Sequence, residues 1–301
     1  MGRLKIIDLN KHREALILKA DMELHFDSDP HTFLKNIEPT LGVEGSVHSF
    51  ILSLTSRYIG IQKPMTLMAR GVKSNGELLV AGLQTELDRV MIISKISESE
   101  AAKFAELLSQ KIDFLPGVNG PVPAVDAFAH QWTSLKKISA KLCGDLRLFE
   151  LKALKAPPLP SGFARLAGAI DRDLLFQWLR AFHDEAVPHD PQANDNDLYK
   201  NIDTGIAQKE FFIWEDCGKA VSLVGSRRET ATERWIAPVY TPLENRGHGY
   251  ASALTAHVSR KILDLGKTGM LFTNLANPTS NRIYQNIGYT PVADFKHYSF
   301  S

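Results

Sequence analysis

Val239-Tyr240-Thr241-Pro242-Leu243-Glu244-Asn245-Arg246-Gly247-His248-Gly249-Tyr250-Ala251 links an apolar run, residues 235–240, to a stretch without proline that extends to Pro278. The run reads as a strand, the basic glycine-bearing piece as a loop, and the stretch from Tyr250 onward as a helix. Helix N-termini carry unpaired N–H groups and a partial positive charge. Two glycines at that point let the backbone close on a ligand, so the loop reads as a pyrophosphate cradle.

Three other readings compete for these glycines. Gly266-Lys267-Thr268 matches the tail of a P-loop, but Lys261 stands where its first glycine belongs. That tripeptide also comes after a helix, where Gly266 reads as a C-cap. Gly247-His248-Gly249-Tyr250-Ala251-Ser252 supplies two of the three glycines of a dinucleotide fingerprint. In that fold the glycine turn comes directly after the strand, with an acidic residue ~20 positions on. Here residues 241–246 intervene, and the next strand ends at Asn274-Leu275 without a carboxylate. An ordinary loop leading into a helix explains an isolated Gly-x-Gly equally well.

The elements around the loop form a regular series. Residues 163–166 read as a strand and Asp171 as the N-cap of a helix. Leu174, Leu175, Trp178, Leu179 and Phe182 mark one apolar stripe on that helix, which Pro188 ends. A shorter helix spans 196–208. Strands at 210–214 and 220–227 flank an Asp-Cys-Gly-Lys turn as a hairpin, and 234–240 is a third strand. On the helix after the loop, Tyr250, Leu254, Val258, Ile262 and Leu265 recur at helical spacing. A strand at 270–275, a helix at 280–287 stopped by Gly288, and two short strands complete the chain.

The first half repeats this order less clearly. Residues 46–58 read as a helix, 66–72 and 77–84 as a hairpin, 89–94 as a strand and 97–110 as a helix. Gly76…Val80-Ala81-Gly82 echoes Gly218…Leu223-Val224-Gly225, off by one residue, which points to a duplication. Three prolines and a glycine within 154–162 break any helix or central strand. The expected division is therefore 1–153, a linker at 154–162, and 163–301. A chain of 301 residues suits two units of about 150 each.

Composition narrows the function class. Hydrophobic content of 44% and charged content of 23% suit a soluble globular protein. A net charge of +1 argues against nucleic acid or an anionic membrane as partner. No run approaches the ~18 apolar residues of a membrane span. Cys143 and Cys217 are far apart, which suits a reducing cytoplasm and opposes a disulfide or structural zinc framework. The N-terminal apolar run is too short for a signal peptide. Gly2 suggests myristoylation, but Ile6 occupies the position of the required Ser or Thr.

Two motifs in order carry a family resemblance. Arg246-Gly247-His248-Gly249-Tyr250-Ala251 fits the Arg/Gln-x-x-Gly-x-Gly/Ala pattern of the GNAT N-acetyltransferases. Asn277-Pro278-Thr279-Ser280-Asn281-Arg282-Ile283-Tyr284-Gln285-Asn286-Ile287-Gly288-Tyr289 resembles that family's second block. The resemblance covers about residues 160–301, and the first half resembles the N-terminal part of two-domain members more loosely. It implies an α/β fold, a mixed sheet flanked by helices in each half, arranged as a tandem GNAT-like acyltransferase with a degenerate first half.

The resemblance also implies a chemistry. Acetyl-CoA would lie where the strands at 235–240 and 270–275 splay apart, with no metal. The backbone of Pro238, Val239 and Tyr240 would pair with pantetheine and polarise the thioester carbonyl. The amides of Gly247, His248, Gly249, Tyr250 and Ala251, with the charge of Arg246, would hold the pyrophosphate. Asn277 and Asn281 would hydrogen-bond pantetheine. Pro238 within a strand implies an unpaired N–H position or a bulge. A neutral amine would attack the thioester directly. Tyr284, one turn after Asn281, resembles the family's general acid; a core aromatic beside Ile287 is the plain alternative. Glu233 stands where some members carry a base, against a surface carboxylate paired with Arg234 or a water chain instead of any single base.

Other segments stay open. His183-Asp184-Glu185 with His189-Asp190 reads as a solvated helix end, as acceptor lining through His183 and Glu185, or as a metal site. The two histidines lie six apart across Pro188 and share no helix face. The rigid turn 115–121 and the aromatics of 127–132 shape either a domain interface or a plain loop and core helix. The expected protein is a cytoplasmic N-acetyltransferase acting on a small-molecule or peptide amine, as a monomer or homodimer. A longer acyl-CoA, or a non-catalytic acyl-CoA sensor, are the alternatives. Neither fold nor cofactor loop names the acceptor.

Overall fold

The computed structural model describes residues 21–301, so the readings at Gly2 and Ile6 lie outside it. The first half runs β1 (Glu23–Phe26), α1 (Pro30–Leu41), α2 (Gly45–Gly60), β2 (Leu67–Val72), β3 (Leu78–Gln84), β4 (Met91–Ile93), α3 (Glu98–Ser109), β5 (Gly117–Pro121), α4 (Ala124–Lys136) and β6 (Ala140–Leu151). The second half runs β7 (Phe163–Leu166), α5 (Arg172–Ala186), α6 (Asp195–Ala207), β8 (Phe211–Asp216), β9 (Lys219–Glu229), β10 (Glu233–Tyr240), α7 (Tyr250–Asp264), β11 (Thr268–Asn274), α8 (Pro278–Ile287) and β12 (Thr290–Phe300). The two series are identical in order, element for element.

All the strands join one 12-stranded mixed sheet in the order β1-β2-β3-β4-β5-β12-β6-β11-β10-β9-β8-β7. Replacing each strand by its counterpart in the other repeat reverses this order, as a pseudo-two-fold axis through the centre requires. Only β4·β5 and β10·β11 pair in parallel, again at equivalent places. The last strands are exchanged: β6 pairs with β11, and β12 with β5. They also pair with each other from Thr290↔Glu150 to Phe300↔Ala140. Arg147 donates across that centre to both carboxylate oxygens of Asp294, at 2.7 and 2.9 Å. The irregular segment 154–162 joins β6 to β7 without interrupting the sheet.

Each face is covered by a helix pair. In the first repeat Phe33, Ile37 and Leu52 of α1 and α2 pack on Met68 and Leu83, while Phe104, Phe128 and Trp132 of α3 and α4 fill the opposite face. In the second, Leu175, Trp178 and Ile202 of α5 and α6 pack on Phe211 and Leu223. Leu254, Val258 and Ile287 of α7 and α8 pack on Phe149 and Leu271. Helix α2 also reaches across: its Val47 and Phe50 lie against Trp235, Met270 and Phe295.

Several expectations need correction. The sequence pattern missed β1, α1, β5 and β6; most of the turn read at 115–121 is the strand β5. Lys141, Asp145, Arg147 and Glu150 interrupt the apolar signal of β6, which is wedged between two partner strands rather than covered evenly. The two short closing strands are one, β12, whose register shifts at Pro291/Ala293 and His297/Tyr298 break its alternation. Asp171 precedes α5 as expected but caps nothing there. Its carboxylate turns back to Arg165, at 2.8 and 2.9 Å, and accepts the Gly168 N–H at 2.8 Å. Among the described residues no helix is long and apolar enough to cross a membrane.

Candidate active site

Strands β10 and β11 are in register only at Glu233↔Thr268, Arg234↔Gly269 and Trp235↔Met270. Beyond Trp235 they part, so the backbone of Pro238, Val239 and Tyr240 has no partner on that side. On the other side Ile236 faces Ser226 and Val239 faces Val224. Ala237 and Pro238 therefore stand opposite Gly225 alone, which is the bulge that Pro238 implied. Gly225 is required there: a Cβ on it would come 2.4 Å from the Ala237 carbonyl oxygen.

The loop after β10 leads into α7 with both glycines in left-handed backbone, φ 84° at Gly247 and 83° at Gly249. A short 3-10 turn, Leu243–Asn245, sets up this approach. Gly249 is the N-cap and offers no side chain to the first turn. In contrast, α1, α3, α6 and α8 are capped by Asp29, Ser97, Asn194 and Asn277. A Cβ at Gly247 or Gly249 would meet nothing within 4 Å. Unpaired N–H groups facing open space at a helix N-terminus fit a phosphate ligand.

The loop's side chains are held by their neighbours. Arg246 donates to the Thr241 carbonyl at 2.9 Å and to Glu185 at 2.6 Å. Glu185 thus stands beside the loop as the partner of its arginine. The His248 ring stacks on Tyr250, centroids 5.6 Å apart, and the Tyr250 hydroxyl donates to Asp216 at 2.6 Å.

The second motif is largely committed to its own turn. Asn277 accepts the Ser280 N–H at 3.0 Å, and Pro278 takes the first helical position, where no N–H is needed. Asn281 accepts from the Thr273 hydroxyl and donates to the carbonyls of Asn274 and Leu275 at 3.2 and 3.3 Å. Asn277 thereby caps α8, and Asn281 fixes the end of β11. Tyr284 is 8% exposed and lies in the cluster formed by α7, α8 and Ile236. Its ring meets that of Tyr289 edge-on, centroids 6.0 Å apart. Among the described residues its hydroxyl makes no hydrogen bond. Burial pushes its pKa well above the ordinary phenol value, so it holds its proton throughout the neutral range.

Glu233 is not a surface carboxylate paired with Arg234. It is 6% exposed. The Thr230 hydroxyl donates to its carboxylate, and its own N–H donates to that hydroxyl oxygen at 2.9 Å. A Cβ on Gly45 would stand 2.7 Å from its Oε1, so the start of α2 closes over it. Arg234 turns instead to Glu229 and Ser226, both at 2.9 Å. Glu233 shares the α2-covered face with Trp235, whereas Ile236 shares the other face with Tyr284. The two residues thus address the parting strands from opposite sides.

His183 is tied into the α5–α6 loop. Its Nε2 lies 2.9 Å from the Asp190 carbonyl oxygen, and its Nδ1 lies 3.2 Å from the Gln192 amide nitrogen. The same loop carries the Asp190 carboxylate to within 3.8 Å of Arg89 and 3.7 Å of His297. Burial pushes the His297 pKa below the usual imidazole range against the opposing pull of Asp190. Neither Arg89 nor His297 was legible as part of a site, because they come from a first-half hairpin and from β12.

The equivalent place in the first repeat is built differently. Ser97 caps α3, accepting the Glu100 N–H at 3.4 Å, and Glu98 and Glu100 occupy its first turn. The Glu100 carboxylate accepts from the Ser97 hydroxyl rather than from backbone. A Cβ on Gly120 would lie 2.6 Å from the Ile93 side chain, so the space beside β5 is filled at that point. One acetyl-CoA per chain is the expected stoichiometry in calorimetry; two equivalent sites would contradict this asymmetry.

Comparison with known proteins agrees with this geometry. Residues 221–298, from β9 to β12, match the family model described as FR47-like protein. No curated protein matches the chain. A GCN5-related N-acetyltransferase from Sphaerobacter thermophilus superposes with a TM-score of 0.62 at 15% identity, covering 94% of this chain and 96% of that one. A GNAT-family acetyltransferase from Colwellia psychrerythraea gives 0.58 at 14% identity, covering 93% and 100%. A tandem GNAT protein from the clavulanic acid biosynthesis pathway gives 0.52 at 10% identity, covering 93% and 98%. The fold is that of the GNAT acetyltransferases in two-repeat form, as the two motifs implied.

Proposed function

We propose that this protein is an N-acetyltransferase that uses acetyl-CoA to acylate a primary amine. The carrying observation is the parting of β10 from β11 directly before a helix whose N-terminus has two left-handed glycines and no side-chain cap. Acetyl-CoA supplies an acyl group activated as a thioester. The amides of residues 247–251 and the Arg246 guanidinium hold its pyrophosphate. The unpaired backbone of residues 238–240 binds the pantetheine arm and directs an N–H at the thioester carbonyl. Asn277, which caps α8, and Asn281, which fixes the end of β11, shape this arm's far wall.

The chain's proton-transfer groups sit on either side of this cleft. Tyr284 keeps its proton at neutral pH and delivers it to the leaving sulfur. Glu233 accepts the proton of the attacking amine, directly or through water. His183 and Glu185 line the acceptor side, on the helix and loop that pack beside the phosphate-binding arginine. The second half does the chemistry, and the first half closes the acceptor pocket through α2. The protein acts in the cytoplasm on a small-molecule or peptide amine, as a monomer or homodimer.

A thiol-release screen of amines, amino acids, polyamines, aminoglycosides and peptides tests this function. CoA release with one class supports it. Binding of acetyl-CoA without turnover across the panel would instead make the chain an acyl-CoA sensor, and turnover only with longer acyl-CoA would shift the donor. Glu233→Gln keeps the Thr230 contact while removing the base. It is expected to lower kcat/KM roughly 10-fold at neutral pH, less than loss of the acid. A wild-type rate in that variant would assign the proton to a water chain.

A further inference from the structure

A cleft of about 540 Å³ lies where the C-terminal part of α2 meets the hairpin between β9 and β10. Arg57, Gly60, Arg228, Glu229, Thr230 and Arg234 are among its lining residues. It stands at the opposite end of β10 from the glycine loop, about 23 Å away for an eight-residue strand. It is therefore separate from the proposed pyrophosphate site.

The charges around this cleft do not balance. Glu210 already accepts from Arg57 at 3.1 Å and from Arg227 at 2.8 Å. Glu229 is paired with Arg234 at 2.9 Å and with Lys267 at 3.0 Å. Arg228 has no carboxylate partner and no hydrogen bond among the described residues. Its guanidinium lies 5.0 Å from the ring centroids of both Phe50 and Trp235. Burial, together with the nearby charges of Arg227 and Arg57, pushes its pKa down to about 10, so it remains charged at neutral pH.

The backbone beneath Arg228 is unusual too. Trp235 pairs with Arg227 and Arg234 with Glu229, which leaves Arg228 unopposed in a bulge. Its φ is 54°, in the left-handed region that favours glycine. The fold thus holds a non-glycine residue in a costly conformation, with its guanidinium beside two aromatic rings. Such a guanidinium, lining a cleft, retains its full capacity to bind an anion.

We infer that this cleft binds a small anion through a carboxylate or phosphate group, with Arg228 as its principal ligand and Arg57 and Arg234 beside it. The chemistry fits either a separate anionic metabolite or an acidic group carried by the amine acceptor. Binding itself does not depend on acyl transfer, so it is testable whether or not the proposed reaction holds.

The probe is inorganic phosphate, titrated into the full chain at constant ionic strength. Tryptophan fluorescence reports binding, because the Trp235 ring lies 5.0 Å from the guanidinium. A saturable change is expected. Arg228→Gln should raise the dissociation constant at least about 10-fold, as loss of a charge-assisted contact does. Arg228→Lys keeps the charge without the fork, and a smaller loss is expected of it; it serves if the glutamine variant does not fold by circular dichroism. Gly249→Val should leave the response intact. Absence of a saturable response would overturn the inference. So would an Arg228→Gln response equal to wild type, or a response lost in Gly249→Val and kept in Arg228→Gln.

Amino acids and their amides in the thiol-release screen separate the two sources. A preference for the free carboxylate that Arg228→Gln removes assigns the cleft to the acceptor. Equal use of acid and amide, with the phosphate response intact, assigns it to a separate anion.

Discussion

Gly249→Val is expected to abolish acetyl-CoA binding, with a loss of at least about 100-fold in affinity. Two effects act together. The φ of 83° at Gly249 is one that a β-branched residue adopts only at a cost of roughly 1–3 kcal/mol. If the loop nevertheless keeps its shape, the new side chain occupies the open space before the first N–H groups of α7, where the phosphate would sit. If the loop relaxes, those N–H groups turn away. Either outcome removes the cradle without touching the core, because a Cβ at Gly249 meets no neighbour within 4 Å. Isothermal titration calorimetry reads the effect, with circular dichroism confirming the fold. Unchanged affinity in a folded variant would remove the loop from the cofactor site, and NADH binding in place of acetyl-CoA would favour the dinucleotide reading.

Tyr284→Phe is expected to lower kcat by roughly 10- to 1000-fold while leaving acetyl-CoA affinity close to wild type. The ring is packed among α7 and α8, and phenylalanine fills the same space. The lost hydroxyl leaves no hydrogen-bond partner stranded, since it has none among the described residues, so the melting temperature should hardly move. If Tyr284 is the proposed acid, what disappears is the proton for the leaving sulfur, on a group that burial keeps protonated at neutral pH. Steady-state kinetics with the best amine from the screen, paired with calorimetry, separates the two effects. A wild-type rate would make Tyr284 a core residue and nothing more.

Much of the second repeat was legible because its signals are local. The apolar run, the turn at Thr241-Pro242 and the glycines at 247 and 249 lie within one short stretch, and each acts through its own backbone conformation. The apolar stripes of α5 and α7 and the stop at Gly288 are local in the same way; Gly288 has φ 108°. The absence of a second glycine loop at Ser97 was readable for the same reason. The bulge at Pro238 was readable because proline removes a ladder donor wherever it stands.

What the sequence left hidden was non-local. Asn277 and Asn281 read as ligand-binding amides, and the hydrogen bonds they make to Ser280, Thr273, Asn274 and Leu275 depend on the path of the chain after β11. Between a base and a surface carboxylate beside Arg234 the sequence could not choose for Glu233, because nothing in residues 229–235 announces that α2 lies over it. Arg89, Asp190 and His297 meet from three distant segments. The unpaired Arg228 became visible only once Glu210 and Glu229 proved to be taken by other cations.

Sequence alone determined that a strand, a glycine loop and a helix follow one another at residues 233–264, that Ser97 closes the equivalent helix, and that two similar series of elements succeed one another. The tertiary structure alone decided that the repeats exchange their last strands, so that β6 completes the second half and β12 the first. The physical reason is that an antiparallel edge accepts either strand with the same alternation of side chains. Pairing was therefore settled by which strand of the other half lies alongside, and not by any pattern within one segment.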